Sequence, residues 1–135
     1  MKEIDELIEL SKYNHKLDLK RGQDRYLSID WALNQIAEEV LEVKDELKPN
    51  NTPFIEDELG DILWGLFMAI EKLKEEGFVT SHENIIKRAL KKYKERILPL
   101  KGEEIADREI WDRVKQEQKE ALREELRQEL RVKGD

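Results

Sequence analysis

A chain of 135 residues with a formal net charge of -7 has room for one domain and little more. Charged residues make up 42%, and Ala, Glu, Lys, Leu and Arg fill more than half of all positions, against three Pro and six Gly. This points to long amphipathic helices and excludes a β-sandwich, a collagen-like repeat and a Pro/Gly-rich disordered chain, while the acidic balance excludes a general grip on a nucleic-acid backbone.

The first helix is carried by Ile4, Leu7, Ile8 and Leu10 and runs toward Leu17, before a basic loop at Lys20-Arg21-Gly22-Gln23. The second has Leu33, Ile36, Val40, Val43 and Leu47 in one stripe and ends at Pro49-Asn50-Asn51. Thr52 as N-cap with Pro53 behind it opens a third helix that runs to about Glu76 and stops at Gly77. Thr80 and Glu83 have capping-box spacing for a fourth, with Ile85, Ile86, Ala89, Tyr93 and Ile97 as its stripe and Pro99 beyond. From Glu103 the chain is mostly charged, with Trp111, Val114, Leu122, Leu126 and Leu130 as sparse anchors. The expectation is a single all-α domain over residues 1–135: a bundle of about four helices over 1–100 and a charged helical arm over 101–135. The short link between the second and third helices favours antiparallel neighbours.

No cysteine is present, so disulfides, thiolate metal sites and cysteine nucleophiles are excluded. The opening MKEIDELIEL carries acids where a signal peptide carries basic and apolar residues, and no stretch is long and apolar enough for a bilayer. A cytoplasmic protein with no membrane and no nucleic-acid polymer among its partners is expected.

Two acidic clusters carry the candidate chemistry: Glu38-Glu39-x-x-Glu42 on the second helix and Glu58-x-x-Asp61 on the third. Three-residue spacing sets Glu39 near Glu42 and Glu58 near Asp61, each pair a turn apart on one face. Four carboxylates on facing helices can converge on a hard cation such as Mg²⁺. For Glu38, Glu39 and Glu42 taken alone a solvated helix face is the commoner explanation. Glu58 and Asp61 differ, because they flank LGDILWGLFMAI, apolar on nearly every side. Carboxylates buried there without a partner cost several kcal/mol, which implies a cation or a basic group. Gly60 and Gly65 each cost about 1 kcal/mol in mid-helix and serve either close helix packing or ligand access. A di-iron bundle needs Glu-x-x-His, whereas Asp45 follows Glu42 and Asp61 follows Glu58.

The joint pattern, with fifteen residues between Glu42 and Glu58 and the wording Glu58-Leu59-Gly60-Asp61-Ile62-Leu63-Trp64, resembles the MazG-like all-α nucleoside triphosphate pyrophosphohydrolases over about residues 30–98. Lys92 and Arg96 are similar to that family's basic residues on the fourth helix, and Trp111-x-x-Val114-Lys115 to a C-terminal Trp/Lys motif of some members. The resemblance implies hydrolysis of a nucleotide between its α and β phosphates with Mg²⁺, or Mn²⁺ as a substitute. It makes Glu39, Glu42, Glu58 and Asp61 metal ligands and Glu38 the base toward the attacking water. Lys92, Arg96, Trp111 and Lys115 would then bind substrate, in a homodimer or homotetramer that completes the pocket. Glu95 stands where the family often has a second basic residue. Trp111 either stacks on a base, as the resemblance implies, or anchors the arm to the bundle, and its aromatic face slightly favours the anchor.

Lys12, Lys16, Lys20, Arg21 and Arg25 read as a solvated basic face. His15 and His82 are isolated and expected at surface or loop positions, and Trp31, Trp64 and Phe67 in the core. Two rivals remain at this level: a non-enzymatic helical interaction module that uses the arm, and the same chemistry on deoxyuridine triphosphate or phosphoribosyl-ATP.

Overall fold

The computed structural model describes residues 1–134, and among them the only regular structure is helical: α1 (Lys2–Arg21), α2 (Asp24–Leu27), α3 (Ile29–Asp45), α4 (Thr52–Glu75), α5 (His82–Ile97) and α6 (Glu104–Gly134). The all-α expectation holds. Two compact units divide the chain, Met1–Asn84 and a second from Ile85 onward.

Local chemistry sets the boundaries in the first unit. α1 ends on Gly22, whose φ of 67° is left-handed and whose N–H donates to the Asp18 carbonyl. The one-turn α2, absent from the sequence reading, is followed by Ser28, whose hydroxyl accepts the Trp31 N–H at 3.1 Å and caps α3. The cap residue of α4 is Asn51, one position before the expected Thr52. Its side chain turns back and donates to the Glu46 carbonyl and carboxylate at 2.7 and 2.8 Å, tightening the α3–α4 turn instead of capping the helix. α4 closes at Gly77 in a Schellman arrangement, with Phe78 N–H to the Leu73 carbonyl and Gly77 N–H to that of Lys74. The expected Thr80–Glu83 capping box does not form. Ser81 is the cap, its hydroxyl accepting the Asn84 N–H at 3.0 Å, so α5 starts one residue later than that box requires.

α4 is the axis of this unit. Phe67, Met68, Ala69, Ile70, Glu71 and Lys72 are all buried, consecutive positions that cover every side of the helix. α3 packs along α4 with descending register: Ile36 meets Gly65, and Glu39 meets Glu58 and Asp61, so the two run antiparallel. α1 packs on α4 in ascending register. The Asn14 amide donates to Met68 Sδ at 3.6 Å and Lys72 Nζ lies 3.7 Å from Asp18, so these two helices run parallel.

Burial corrects several expectations. His15 and His82 are interior rather than surface residues, 5% and 0% exposed, because each packs against α4, His15 beside Glu75 and His82 against Phe67 and Glu71. Trp31 is partly exposed and set edge-on to Tyr26. Phe67 is in the core and Trp64 half-buried. The α3 stripe splits, with Ile36 and Val43 half-buried and Leu33, Val40 and Leu47 exposed. Part of the basic N-terminal run is engaged: Lys12 pairs with Glu9 and Glu83, Arg21 with Asp18, and Arg25 stacks on Tyr26.

In the second unit α5 and α6 form an antiparallel hairpin. Arg88 pairs with Glu125, Arg96 Nε donates to Gln118 Oε1 at 2.8 Å, and the Gln118 amide donates to the Lys92 carbonyl at 3.0 Å. The turn is held by the Asp107 carboxylate, which accepts the Lys101 and Gly102 N–H groups, with Gly102 at φ 85°.

The two mid-helix glycines of α4 have different surroundings. A Cβ on Gly65 would lie 3.2 Å from Ile36 Cγ1, whereas one on Gly60 would meet nothing within 4 Å. Gly60→Ala is therefore expected to stabilise the protein by about 0.5–1 kcal/mol through backbone propensity. Gly65→Ala loses that gain to crowding against Ile36. Chemical denaturation of both variants checks the contrast, and equal shifts would contradict it.

Candidate metal centre

Antiparallel packing of α3 and α4 gathers three carboxylates from two separate sequence clusters. One oxygen each from Glu39, Glu58 and Asp61 lies within 4.8 Å of the others. Glu39 and Glu58 are half-buried and Asp61 exposed, so the group has an inner and an open side. Oε2 of Glu39 and Oε2 of Glu58 are closed to solvent and accept no hydrogen bond. Carboxylate oxygens without donors are costly unless a proton or a cation satisfies them.

The electrostatics carry the same strain. The Glu39 carboxyl is pushed up to about 7, first by burial and then by the neighbouring Glu42 and Asp61 carboxylates. Glu58 is also raised, by burial first and Glu42 next. Three hard oxygen donors that repel one another suit a divalent cation: Mg²⁺ takes oxygen ligands at about 2.0–2.1 Å and completes its octahedron with water or substrate. The residues present fit such an ion.

The remaining sequence candidates fall as follows. Glu42 is exposed and stands beside the trio, close enough for its charge to raise both Glu39 and Glu58. Glu38 is exposed on the neighbouring face of α3 and is not among the converging ligands. Lys92, Arg96, Trp111 and Lys115 belong to the second unit. There Arg96 is buried, its guanidinium 5.1 Å from the Trp111 ring centroid, so Trp111 anchors α6 to α5 through a cation–π contact. Lys92 is exposed and lies over Tyr93, and Lys115 is half-buried.

Residues 28–99 match the model of the MazG nucleotide pyrophosphohydrolase domain. The chain belongs to this family. No curated protein and no solved structure matches it. The MazG match begins at the Ser28 cap and takes in α3, α4 and α5, so the carboxylate trio lies wholly inside it while Trp111 and Lys115 lie beyond it. The protein is thus a nucleotide pyrophosphohydrolase, a hydrolase of phosphoric anhydrides, from a metal-dependent family. Among the described residues no helix is long and apolar enough to cross a membrane.

Sequence reasoning found the acids but missed a second polar cluster around Asp18, Glu71, Lys72 and His82, all buried. The signal was present: Glu71-Lys72 follows the apolar run of α4 without a break, where charge on a surrounded helix needs partners.

A pH dependence follows from Glu39. Its folded carboxyl keeps a proton up to about pH 7, while the unfolded chain releases it at an ordinary carboxylate value, so the folded state binds more protons between these limits. The contribution to stability is fully present below the unfolded value and is lost as pH rises toward 7. Metal-free protein should therefore melt at a higher temperature at pH 5 than at pH 7.5 through this group, and Glu39→Gln should flatten that slope. Millimolar Mg²⁺ should restore stability at pH 7.5 by binding the native state. A melting series over pH and Mg²⁺ checks both, and a cation-insensitive melting temperature would count against the centre.

Proposed function

We propose that this MazG protein cleaves a nucleoside triphosphate between its α and β phosphates, giving monophosphate and pyrophosphate, with Mg²⁺ as cofactor and Mn²⁺ as a substitute. The observation that carries this reading is the convergence of Glu39, Glu58 and Asp61 with two solvent-closed oxygens that lack donors. These three, with Glu42 beside them, would hold the cation. When bound, it supplies charge neutralisation on the phosphate oxygens and on the departing pyrophosphate.

The protein's own residues do the rest. Glu38, exposed and next to Glu39 in sequence, is the base that orients a water and takes its proton as the new P–O bond forms and the bridging P–O bond breaks. An acidic chain needs a few local cations for an anionic substrate, and Lys92, Arg96 and Lys115 are assigned that role, with Trp111 facing the base. Arg96 serves through its outer nitrogens, since Nε is committed to Gln118. The same assignment makes the protein a cytoplasmic homodimer or homotetramer acting on free nucleotides. Exposed Leu33, Leu47, Phe54 and Leu59, more than 45% accessible each, support self-association because so many large apolar side chains on one small unit need cover.

Release of pyrophosphate from a panel of ribo- and deoxyribonucleoside triphosphates, deoxyuridine triphosphate included, tests the reading. Pyrophosphate with equimolar monophosphate is expected. A chelator should abolish turnover, and Glu58→Gln should lower it by about 100-fold or more, the scale of losing one electrostatic group at a reacting centre. Orthophosphate as the only product, or turnover that survives Glu58→Gln, would contradict the mechanism. Sedimentation showing a folded monomer alone would remove the shared pocket.

A further inference from the structure

The interior of the first unit holds a histidine and a carboxylate whose hydrogen bonds do not close. His82, the first residue of α5, is fully buried, and its Nε2 lies 3.1 Å from the Phe67 carbonyl oxygen. A carbonyl only accepts, so Nε2 carries a hydrogen. A neutral imidazole then presents a bare lone pair at Nδ1. That atom lies 3.8 Å from Glu71 Oε1, itself 5% exposed through its side chain, and neither atom has another partner. Two lone pairs facing one another in a dry interior are each unsatisfied and mutually repulsive.

We propose that His82 and Glu71 hold one proton between them, carried at His82 Nδ1, and that this proton fastens the first turn of α5 to α4. A hydrogen on Nδ1 replaces the bare lone pair there with a donor turned toward the Glu71 carboxylate, which can only accept. The ring then spans α4, donating to the Phe67 carbonyl through Nε2 and facing the Glu71 carboxylate through Nδ1. Edge-on contact with the Phe67 ring, at 5.5 Å between centroids, holds the imidazole in that orientation.

The surrounding charges agree with an ionised pair. From α4, Lys74 lies 3.9 Å from the second Glu71 oxygen. From α1, Lys12 feels the Glu71 charge and pairs with Glu83 of α5 at 3.9 Å. Glu83 in turn lies within electrostatic reach of His82. His15 of α1 faces Glu75, one turn along α4, at 3.8 Å, and Asp18 faces Lys72 at 3.7 Å. Among the described residues no third carboxylate or imidazole joins His82 and Glu71 at ligand spacing, so a proton rather than a metal ion completes the pair.

The chain has only two histidines, which makes the test direct. Protein labelled with ¹⁵N-histidine is observed at pH 7.5, where an exposed imidazole is about nine-tenths neutral, and His15→Gln assigns the two sets of signals. His82 should show both ring nitrogens protonated. Glu71→Gln should leave His82 with a hydrogen at Nε2 only, while the protein stays folded because the new carboxamide can donate to Nδ1. On raising the pH until the Nδ1 hydrogen is lost, amide protection in the first turn of α5 should fall about tenfold or more relative to the centre of α4. A bare Nδ1 in the wild type at pH 7.5, or a doubly protonated ring that persists in Glu71→Gln, overturns the shared proton. Unchanged protection overturns its fastening role. If Glu71→Gln does not fold, the wild-type spectrum decides alone.

Discussion

The register between α3 and α4 is the constraint on which the rest depends. Gly65 removes the side chain that would keep Ile36 away, and the resulting approach leaves 3.2 Å between Ile36 Cγ1 and the place a Cβ would take. With the helices antiparallel at that contact, Glu39 falls opposite Glu58 and Asp61. A shift of one residue would rotate each side chain by about 100° around its helix and scatter the carboxylates. The glycine that weakens α4 as an isolated helix is what lets α4 build a centre with its neighbour.

That centre is held against its own electrostatics. Half-buried carboxylates without donors raise the free energy of the folded state when ionised, and the elevated Glu39 and Glu58 values express this cost. Offsetting it is the packing of α4, enclosed on all sides over Phe67–Lys72 and closed at Gly77 by paired backbone bonds. The costly site and the well-buried segment are two halves of one helix. Strain at Glu58 is borne by a rod anchored further along, a common division between functional and structural parts of a protein.

Charge is used differently elsewhere in the chain. Beside the buried half of α4, Asp18 faces Lys72, so opposite charges meet in the interior, and Glu71 lies against His82. Along the α5–α6 hairpin, Arg88, Arg96 and Gln118 tie two largely polar helices together. Among the described residues, the α3–α4 seam is where three acidic side chains converge at ligand spacing. That contrast makes the Glu39, Glu58 and Asp61 group stand out among 32 acidic residues.

Much of this was determined by the sequence alone. Thr52-Pro53, Gly77 as a stop and the Pro49-Asn50-Asn51 break delimit α4 and the turn before it to within a residue or two, because these signals act over a single turn, whereas α1 runs on through Lys20 and Arg21 of the expected loop and the one-turn α2 left no stripe. The acids of both clusters were legible for the same reason: three-residue spacing places side chains on one face whatever surrounds the helix. Tertiary structure decided what spacing within one helix cannot carry. It set which face of α3 meets α4, so that Glu39 joins Glu58 and Asp61 while Glu38 stays outside. It also enclosed His15 and His82. Each of these outcomes depends on the distance between residues remote in sequence, which only packing of one helix on another can fix.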